Sequence, residues 1–375
     1  MNASNPMSNA NGFKLGLFSI NAEGGTAFTK VPDRWRAEWS EIETLAHIAD
    51  TAGLEFILPI ARWKGYGGET NVRGASFETL THAAALAAIT RRIAIFSTVH
   101  VPLVHPVFAA KALMTIDHVS RGRAGLNIVC GWNQDEFDMF GHHQATHDDR
   151  YEQGREWYSI LTHIFESGAP FDHDGRYYEL KQVVGAPRPV QRPRPVTLSA
   201  AFSPAGRRFA AATSDYLFTS LRSFDSAKPH IAEINRLAAE AGRKVGVLTT
   251  THVVCRDTDA EAARYYDYYA TEMADTAAVD FHQRKKDAHY GAVDPDAVKL
   301  ERRRYAGGTG SYPLVGRPER IADEILAMHK LGFSGATLSF VNFNDELPFF
   351  VERVLPLLRQ AGLRAEDCMP RRVQG

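Results

Sequence analysis

The sequence has few of the features that mark secreted, membrane or nucleic-acid-binding proteins. It contains three cysteines in 375 residues, too few for a disulfide scaffold and too widely spaced for a zinc motif. Its 43 basic and 44 acidic residues almost cancel, so no net field attracts nucleic acid or an acidic membrane. No apolar run approaches the roughly 18 residues that span a bilayer. We therefore expect a cytoplasmic protein that acts on small molecules.

A dinucleotide-binding fingerprint is also absent. The turn after the first predicted strand reads NAEGGTAF (21–28), which contains glycines but lacks the GxGxxG spacing of doubly wound nucleotide-binding folds. An open doubly wound sheet is therefore the less favoured architecture, although it shares the alternation of strands and helices that this sequence shows.

Short apolar runs alternate with longer amphipathic segments from Phe13 onward, which is typical of a parallel sheet covered by helices. The runs predict eight strands, at 13–20, 54–60, 92–99, 124–131, 196–201, 215–220, 245–255 and 335–341. Eight strands, each followed by a helix, are enough to close a barrel. The sequence thus predicts the α/β class, with one (β/α)8 TIM barrel over 13–375 and a disordered lead over 1–12.

In such a barrel the functional groups stand at the carboxyl ends of the strands. Ser203 and Pro204 follow the fifth strand as a helix cap and a first helical residue. The amides at a helix start favour a phosphate, to which Arg150 and Tyr151 would add a guanidinium and a phenol. An ordinary cap explains Ser203 equally well, so the phosphate site is a hypothesis at this point.

A group of histidines suggests a metal as the alternative. HHQATH (142–147) lies close to Glu136 and Asp138, and with His100 and His105 it leaves open a metal-dependent TIM-barrel hydrolase. Adjacent residues point in different directions, however, and no second ligand pair such as HExxH is present. The sequence therefore favours a polar loop and no metal.

Two long stretches resemble the luciferase-like flavin monooxygenase superfamily. TIDHVSRGRAGLNIVCGW (115–132) is similar to the sequence around that family's fourth strand, and LVGRPERIADEIL (314–326) fits near the end. Within the superfamily, three shorter stretches most resemble pyrimidine monooxygenases and dimethyl-sulfone monooxygenases: RWKGYGG (62–68), NIVCGWNQDEFDMFG (127–141) and HDDRYEQ (147–153).

The resemblance implies that reduced FMN and O2 oxygenate or cleave a small organic substrate through a flavin peroxide, the substrate being an N-heterocycle, an amide or an organosulfur compound. By position it assigns the flavin site to Ala61, Arg62, Asn127, Glu136, Arg150, Tyr151 and Ser203. Asn127 and Arg62 are expected to be catalytic. Two departures bear on the flavin pose: Phe202 stands where the family often has glycine, and Ala61 replaces a larger residue.

The implied enzyme has two components. Oxygen activation needs two electrons per turnover, so the resemblance implies a separate NAD(P)H:flavin reductase. A homo-oligomer, dimer or tetramer, is expected. The polar stretch 282–310, with its cluster Arg302–Arg304, is predicted to be a lid, or else a solvated basic run. A deazaflavin (F420) oxidoreductase on the same fold and a barrel that binds flavin without turnover are the alternatives.

Overall fold

The computed structural model describes residues 5–131, 133–142, 147–287 and 295–365, with only the backbone at 147, 148, 285–287 and 295–300. Its strands are β1 (Lys14–Phe18), β2 (Phe56–Leu58), β3 (Ala94–His100), β4 (Ala124–Val129), β5 (Phe171–Asp174), β6 (Glu179–Val183), β7 (Val196–Ala200), β8 (Tyr216–Thr219), β9 (Gly246–Cys255), β10 (Tyr312–Gly316) and β11 (Gly335–Ser339).

Eight of these strands close into a parallel barrel. They follow the order β1-β2-β3-β4-β7-β8-β9-β11, and β11 pairs with β1 to complete the ring. The predicted (β/α)8 barrel is confirmed, and the ends of every predicted strand lie within two residues of those found. Hydrophobic periodicity predicted these strands well because each is buried on both of its faces.

Helices surround the barrel. They are α1 (Trp39–Ala52), α2 (Thr79–Ile89), α3 (Pro106–Val119), α4 (Gln134–Met139), α5 (His147–Glu166), α6 (Pro204–Thr213), α7 (Phe224–Glu240), α8 (Asp259–Asp267), α9 (Thr276–Asp287), α10 (Pro295–Gly308), α11 (Pro318–Leu331), α12 (Phe343–Arg353) and α13 (Leu355–Gln360). Within the described residues, none is long and apolar enough to cross a membrane.

The amino half of the barrel interior is filled by large rings that lie over glycines. A Cβ atom on Gly16 would lie 2.5 Å from the ring of Phe56, and one on Gly125 would lie 2.6 Å from that of Phe96. Such close packing leaves no room for a ligand, because interiors are filled to the density of organic crystals. Space for a ligand is therefore confined to the carboxyl half.

The N-terminal segment closes this packed end. Residues 5–12, expected to be a disordered lead, are ordered: Pro6–Ser8 form a 3-10 helix, and residues 1–4 lie outside the described part. Met7 is buried against the aromatic interior, and the hydroxyl of Tyr216 donates to its carbonyl at 2.7 Å. The polar composition of the segment concealed the one apolar side chain that anchors it.

Two additional elements interrupt the alternation of barrel strands and helices. β5 and β6 form an antiparallel hairpin between α5 and β7, whereas β10 extends the sheet along the outer half of β9. The predicted lid, 282–310, contains the end of α9 and the whole of α10, and its residues 288–294 lie outside the described part.

Candidate active site

Polar side chains line the carboxyl half of the barrel interior. Because side chains alternate along a strand, Thr98 and His100 face the same way as Phe96, into the barrel. Asn127 likewise faces the same way as Gly125, whose added Cβ would meet the Phe96 ring. The barrel thus changes from aromatic to polar between its two ends.

Asn127 is held by a short chain of hydrogen bonds. Its Nδ2 donates to Oγ1 of Thr98 at 3.1 Å, and that hydroxyl donates to the carbonyl of Pro59 at 2.6 Å. The amide is therefore fixed with its oxygen, Oδ1, directed away from Thr98. This Oδ1 is buried and has no hydrogen-bond partner among the described residues.

Arg62 and Glu136 form a buried ion pair that joins the loop after β2 to α4. Nη1 of Arg62 lies 3.0 Å from Oε1 of Glu136, and the side chains are 4% and 1% exposed. The same oxygen accepts the backbone N–H of Trp63 at 2.9 Å. Oε2 of Glu136 has no partner within the described part of the chain. A carboxylate so deeply buried requires this compensation, and its second oxygen is available to a donor on a ligand.

A cavity of about 200 Å³ opens beside this ion pair, between the loops that follow β2 and β3. Ala61 and Arg62 lie in its wall, together with Thr98 and His100. Trp63 and Phe140 form its rim, where their partly exposed rings meet edge to face with centroids 5.0 Å apart. The cavity wall therefore carries several polar groups among apolar ones, and aromatic rings lie at its rim.

His100 contributes an uncharged ring to this wall. The residue is 6% exposed. Burial lowers the pKa of His100 to about 4, with Glu136 acting in the opposite direction and Arg62 in the same direction as burial. The imidazole is accordingly neutral at pH 7, with one N–H donor and one acceptor nitrogen.

The helix start after β7 forms a polar cradle. Oγ of Ser203 accepts the backbone N–H of Gly206 at 3.1 Å, and the hydroxyl of Tyr151 lies 3.4 Å from the same Oγ. A Cβ on Gly206 would lie 2.7 Å from that phenol oxygen, so the absence of a side chain lets Tyr151 reach the first turn of α6. Burial raises the pKa of Tyr151, which keeps the phenol a donor.

Arg150 precedes Tyr151 on α5 but contacts a different element. One of its Nη atoms donates to the carbonyl of Gly131, and its Nε has no partner among the described residues. The guanidinium therefore ties α5 to the loop after β4. Phe202, which stands where the resembling family often has glycine, is 57% exposed beside Ser203.

The seven predicted residues thus form two groups at the carboxyl end of the barrel. Arg150, Tyr151 and Ser203 lie around the start of α6, whereas Ala61, Arg62, Asn127 and Glu136 lie at or beside the cavity wall. Sequence reasoning missed Thr98, which orients Asn127. Its position two residues before His100, on the inward face of β3, was the available signal.

The histidines of the alternative metal site are dispersed. His105 caps α3 by accepting the N–H of Val107 at 3.3 Å, and His142 is exposed. His143 lies outside the described residues, and the side chain of His147 is not described. In the described part of the chain, no group of three or more His, Cys, Asp or Glu side chains is arranged to hold a metal ion.

The chain is similar to known proteins over nearly its whole length. The family model for luciferase-like monooxygenase matches residues 13–335. An FMNH(2)-dependent dimethylsulfone monooxygenase of Pseudomonas fluorescens (strain Pf0-1) is 30% identical over 365 residues, which cover 94% of this chain and 96% of that protein. Pyrimidine monooxygenase RutA of Methylobacterium radiotolerans is 29% identical over 352 residues, which cover 92% and 91%.

Solved structures share the same fold. Riboflavin lyase (RcaE), crystallised with modified FMN and riboflavin, has a TM-score of 0.83 at 22% identity and covers 94% of this chain and 92% of its own. A coenzyme F420 dependent tetrahydromethanopterin reductase from Methanopyrus kandleri has a TM-score of 0.65 at 17% identity, with coverage of 93% and 99%.

Proposed function

The chain belongs to the luciferase-like monooxygenase family, and from that premise we propose that it is an FMNH2-dependent monooxygenase. In our proposal the substrate is a small N-heterocycle, amide or organosulfur compound; two relatives are named for dimethylsulfone and for pyrimidine. Reduced FMN would supply the two-electron activation of O2, and the protein would bind it, orient it and keep water away. The observation that carries the proposal is the cradle of Ser203, Tyr151 and Gly206.

This cradle fits a terminal phosphate. The first turn of a helix presents backbone amides and the positive end of the helix dipole, which together favour an anion. Tyr151 and Ser203 add two hydroxyl groups 3.4 Å apart, a spacing at which both can bond the same phosphate. Arg150 lies on the same helix as Tyr151, and in our proposal its guanidinium completes the site.

The buried polar groups beside the cavity fit the ring system of the cofactor. Buried oxygens of Asn127 and Glu136 have no protein partner among the described residues, and buried polar atoms are nearly always paired. We assign them to hydrogen bonds with the ring, beside Ala61 and Arg62. In our proposal Asn127 and Arg62 are the catalytic residues, because Arg62 lines the cavity and the amide of Asn127 is bonded to Thr98 in its wall.

A separate NAD(P)H:flavin reductase would supply the reduced cofactor, in keeping with relatives that are named for FMNH2 itself. The lid would be the segment 282–310. His282 on α9 packs against Tyr66 with ring centroids 4.8 Å apart, and Tyr66 lies 5.4 Å from the guanidinium carbon of Arg62. A cytoplasmic homo-oligomer completes the proposal, and light scattering after size exclusion measures its mass.

Anaerobic titration with reduced FMN tests the proposal. The double variant Ser203→Ala/Arg150→Ala should bind FMN much more weakly, since each hydrogen bond to a charged group contributes about 1.5–3 kcal/mol. Arg155→Ala is the matched control, because Arg155 lies on the same helix but pairs with Glu152 at the surface. Unchanged affinity in the double variant contradicts the phosphate assignment, and the absence of binding to the unmodified protein contradicts the function.

The reductase requirement has its own measurement. The protein alone, given NADH and FMN in air, should oxidise NADH far more slowly than it oxygenates substrate when a reductase is added. Equal rates would show that the chain reduces its own flavin and that the two-component scheme is wrong.

A further inference from the structure

The charged groups in the described wall of the cavity are already paired. The guanidinium of Arg62 binds Glu136 at 3.0 Å. The carboxylate of Glu78 caps α2, where its two oxygens accept the N–H groups of Leu80 and Thr81 at 2.8 Å each. Among the described lining residues, none therefore offers an uncompensated positive charge.

An anionic substrate would lose hydration in this cavity without gaining a counter-charge from the described lining residues. Transfer of an unpaired carboxylate or sulfonate out of water is among the costliest steps in binding. An uncharged carbonyl, amide or sulfonyl group needs only a hydrogen bond to replace its contact with water. The electrostatics of the wall thus favour an uncharged substrate.

Among the described lining residues, His100 carries a ring that can make that hydrogen bond. Its ring lines the cavity, and no hydrogen bond holds the ring to another residue of the described chain. Thr98, by contrast, is occupied, since its hydroxyl accepts from Asn127 and donates to Pro59. The lowered pKa of His100 keeps the ring neutral, so that it does not itself attract anions.

We propose that this cavity is the substrate site and that His100 positions an uncharged substrate through a hydrogen bond to its carbonyl, amide or sulfonyl group. The volume, about 200 Å³, is close to that of cavities of about 150 Å³ that hold one benzene ring, so the substrate has the size of a single six-membered ring. This inference rests on the proposed function and narrows its substrate class to uncharged compounds, excluding sulfonates and carboxylates.

Two pairs of probes test whether the protein binds uncharged compounds in preference to anions. The protein is loaded with oxidised FMN for this test. Dimethyl sulfone is compared with methanesulfonate, and uracil with its 6-carboxylate, orotate, by ligand-observed NMR titration. We expect at least one neutral probe to bind, and its anionic counterpart to bind at least about tenfold more weakly. This readout does not depend on turnover.

Three variants test the role of His100. His100→Leu should weaken binding of the neutral probe about tenfold, the effect of one hydrogen bond. His100→Gln keeps a donor and an acceptor and should restore most of the affinity, which a purely structural role would not produce. His105→Asn is the control: it replaces the α3 cap outside the cavity with another capping residue and should change nothing.

The outcomes separate this inference from the proposed function. If the unmodified protein fails to bind FMN, the proposed function is wrong and the inference falls with it. If FMN binds normally, three results overturn the inference alone: an anion binds as tightly as its neutral counterpart, none of the four probes binds, or His100→Leu binds the neutral probe as well as the unmodified protein does.

Discussion

The buried carboxylates at the two ends of the barrel, Glu55 and Glu136, differ in how their oxygens are paired. At the amino end both oxygens of Glu55 are paired. Its Oε2 accepts the backbone N–H of Leu15 at 2.8 Å and the guanidinium of Arg364 at 2.9 Å. Its Oε1 accepts from asparagine side chains of the N-terminal segment. At the carboxyl end Asn127 and Glu136 each keep one unpaired oxygen within the described chain. Unpaired buried groups cost about 1–3 kcal/mol each, which is why we infer that the carboxyl end accommodates a ligand.

Residues 115–132, which resemble the sequence around the family's fourth strand, include residues at both ends of the barrel. Asp117 accepts the backbone and side-chain N–H groups of Gln191 at 2.9 and 2.6 Å, and Arg123 donates to carbonyl groups at the end of α2. These residues stabilise the amino end, whereas Asn127, four residues after Arg123, lies at the other end in the candidate site. A sequence signature therefore does not by itself separate residues that stabilise the fold from residues of the candidate site.

The largest effect on the free energy of unfolding should come from disrupting the buried ion pair at the amino end. Glu55→Ala leaves Arg364 buried without its counter-charge, and removing one partner of a buried pair costs about 3–5 kcal/mol. Urea unfolding should report this loss, while the FMN affinity of the folded fraction stays unchanged. Glu55→Gln, which retains an acceptor, should lose less. A loss below about 1 kcal/mol would show that the paired network contributes little to stability.

Acidification should destabilise the carboxyl end. Burial lowers the pKa of His100 to about 4 and that of His252, with help from Arg304 and Arg303, to about 3. The unfolded chain binds these protons near pH 6.5, so the stabilisation is complete above that pH and is lost as the pH falls toward the folded values. At pH 5 each histidine should cost about 2 kcal/mol, at about 1.4 kcal/mol per pH unit.

Single variants locate this pH dependence. The free energy of unfolding is measured in urea at pH 7 and at pH 5. Its decrease between the two pH values should be about 2 kcal/mol smaller in His100→Gln than in the unmodified protein, and also about 2 kcal/mol smaller in His252→Gln. His142, which is exposed, provides the control in His142→Gln. An unchanged pH slope in both variants would mean that other groups cause the acid sensitivity.

The sequence predicted the barrel because strand burial and helix periodicity are local properties. It missed α4, because six residues give too short a pattern, and the β5–β6 hairpin, because its strands are polar and largely exposed. The helix cap at Ser203 was predictable because a serine followed by proline is also a local signal, whereas the phosphate site there is still a prediction.

Long-range pairing was not readable from the sequence. The basic cluster within 282–310 was expected to belong to a lid or a solvated run. Arg303 lies 2.7 Å from Asp267 and covers the ring of Tyr266, while Arg304 donates to the carbonyl of Leu221 at 2.8 Å. These partners lie far apart along the chain, and only the closed barrel brings them together. The lid itself is still a prediction.

At the carboxyl end, a smaller effect is expected from a variant that weakens FMN binding without changing stability. Gly206→Ala places a Cβ 2.7 Å from the hydroxyl of Tyr151 and displaces the phenol from the helix start. FMN affinity should fall about tenfold, the effect of one hydrogen bond, whereas thermal stability should stay within about 1 kcal/mol because alanine favours helix. Tyr151→Phe should reproduce the loss of affinity. Normal FMN binding by both variants would remove Tyr151 from the phosphate site.

The smallest change in stability, and the sharpest test of the comparison, should come from Asn127→Ala. The variant loses one hydrogen bond to Thr98, worth about 0.5–1.5 kcal/mol, but it also removes a buried oxygen that has no partner in the described chain. The two effects oppose each other, so the free energy of unfolding should change by less than about 1 kcal/mol. Coupling should suffer instead: with reductase present, hydrogen peroxide per O2 consumed should rise and product should fall. Thr98→Ser, which keeps the hydroxyl, should stay coupled. If Asn127→Ala unfolds readily while its folded fraction remains coupled, Asn127 is structural and the two ends of the barrel do not differ as we infer.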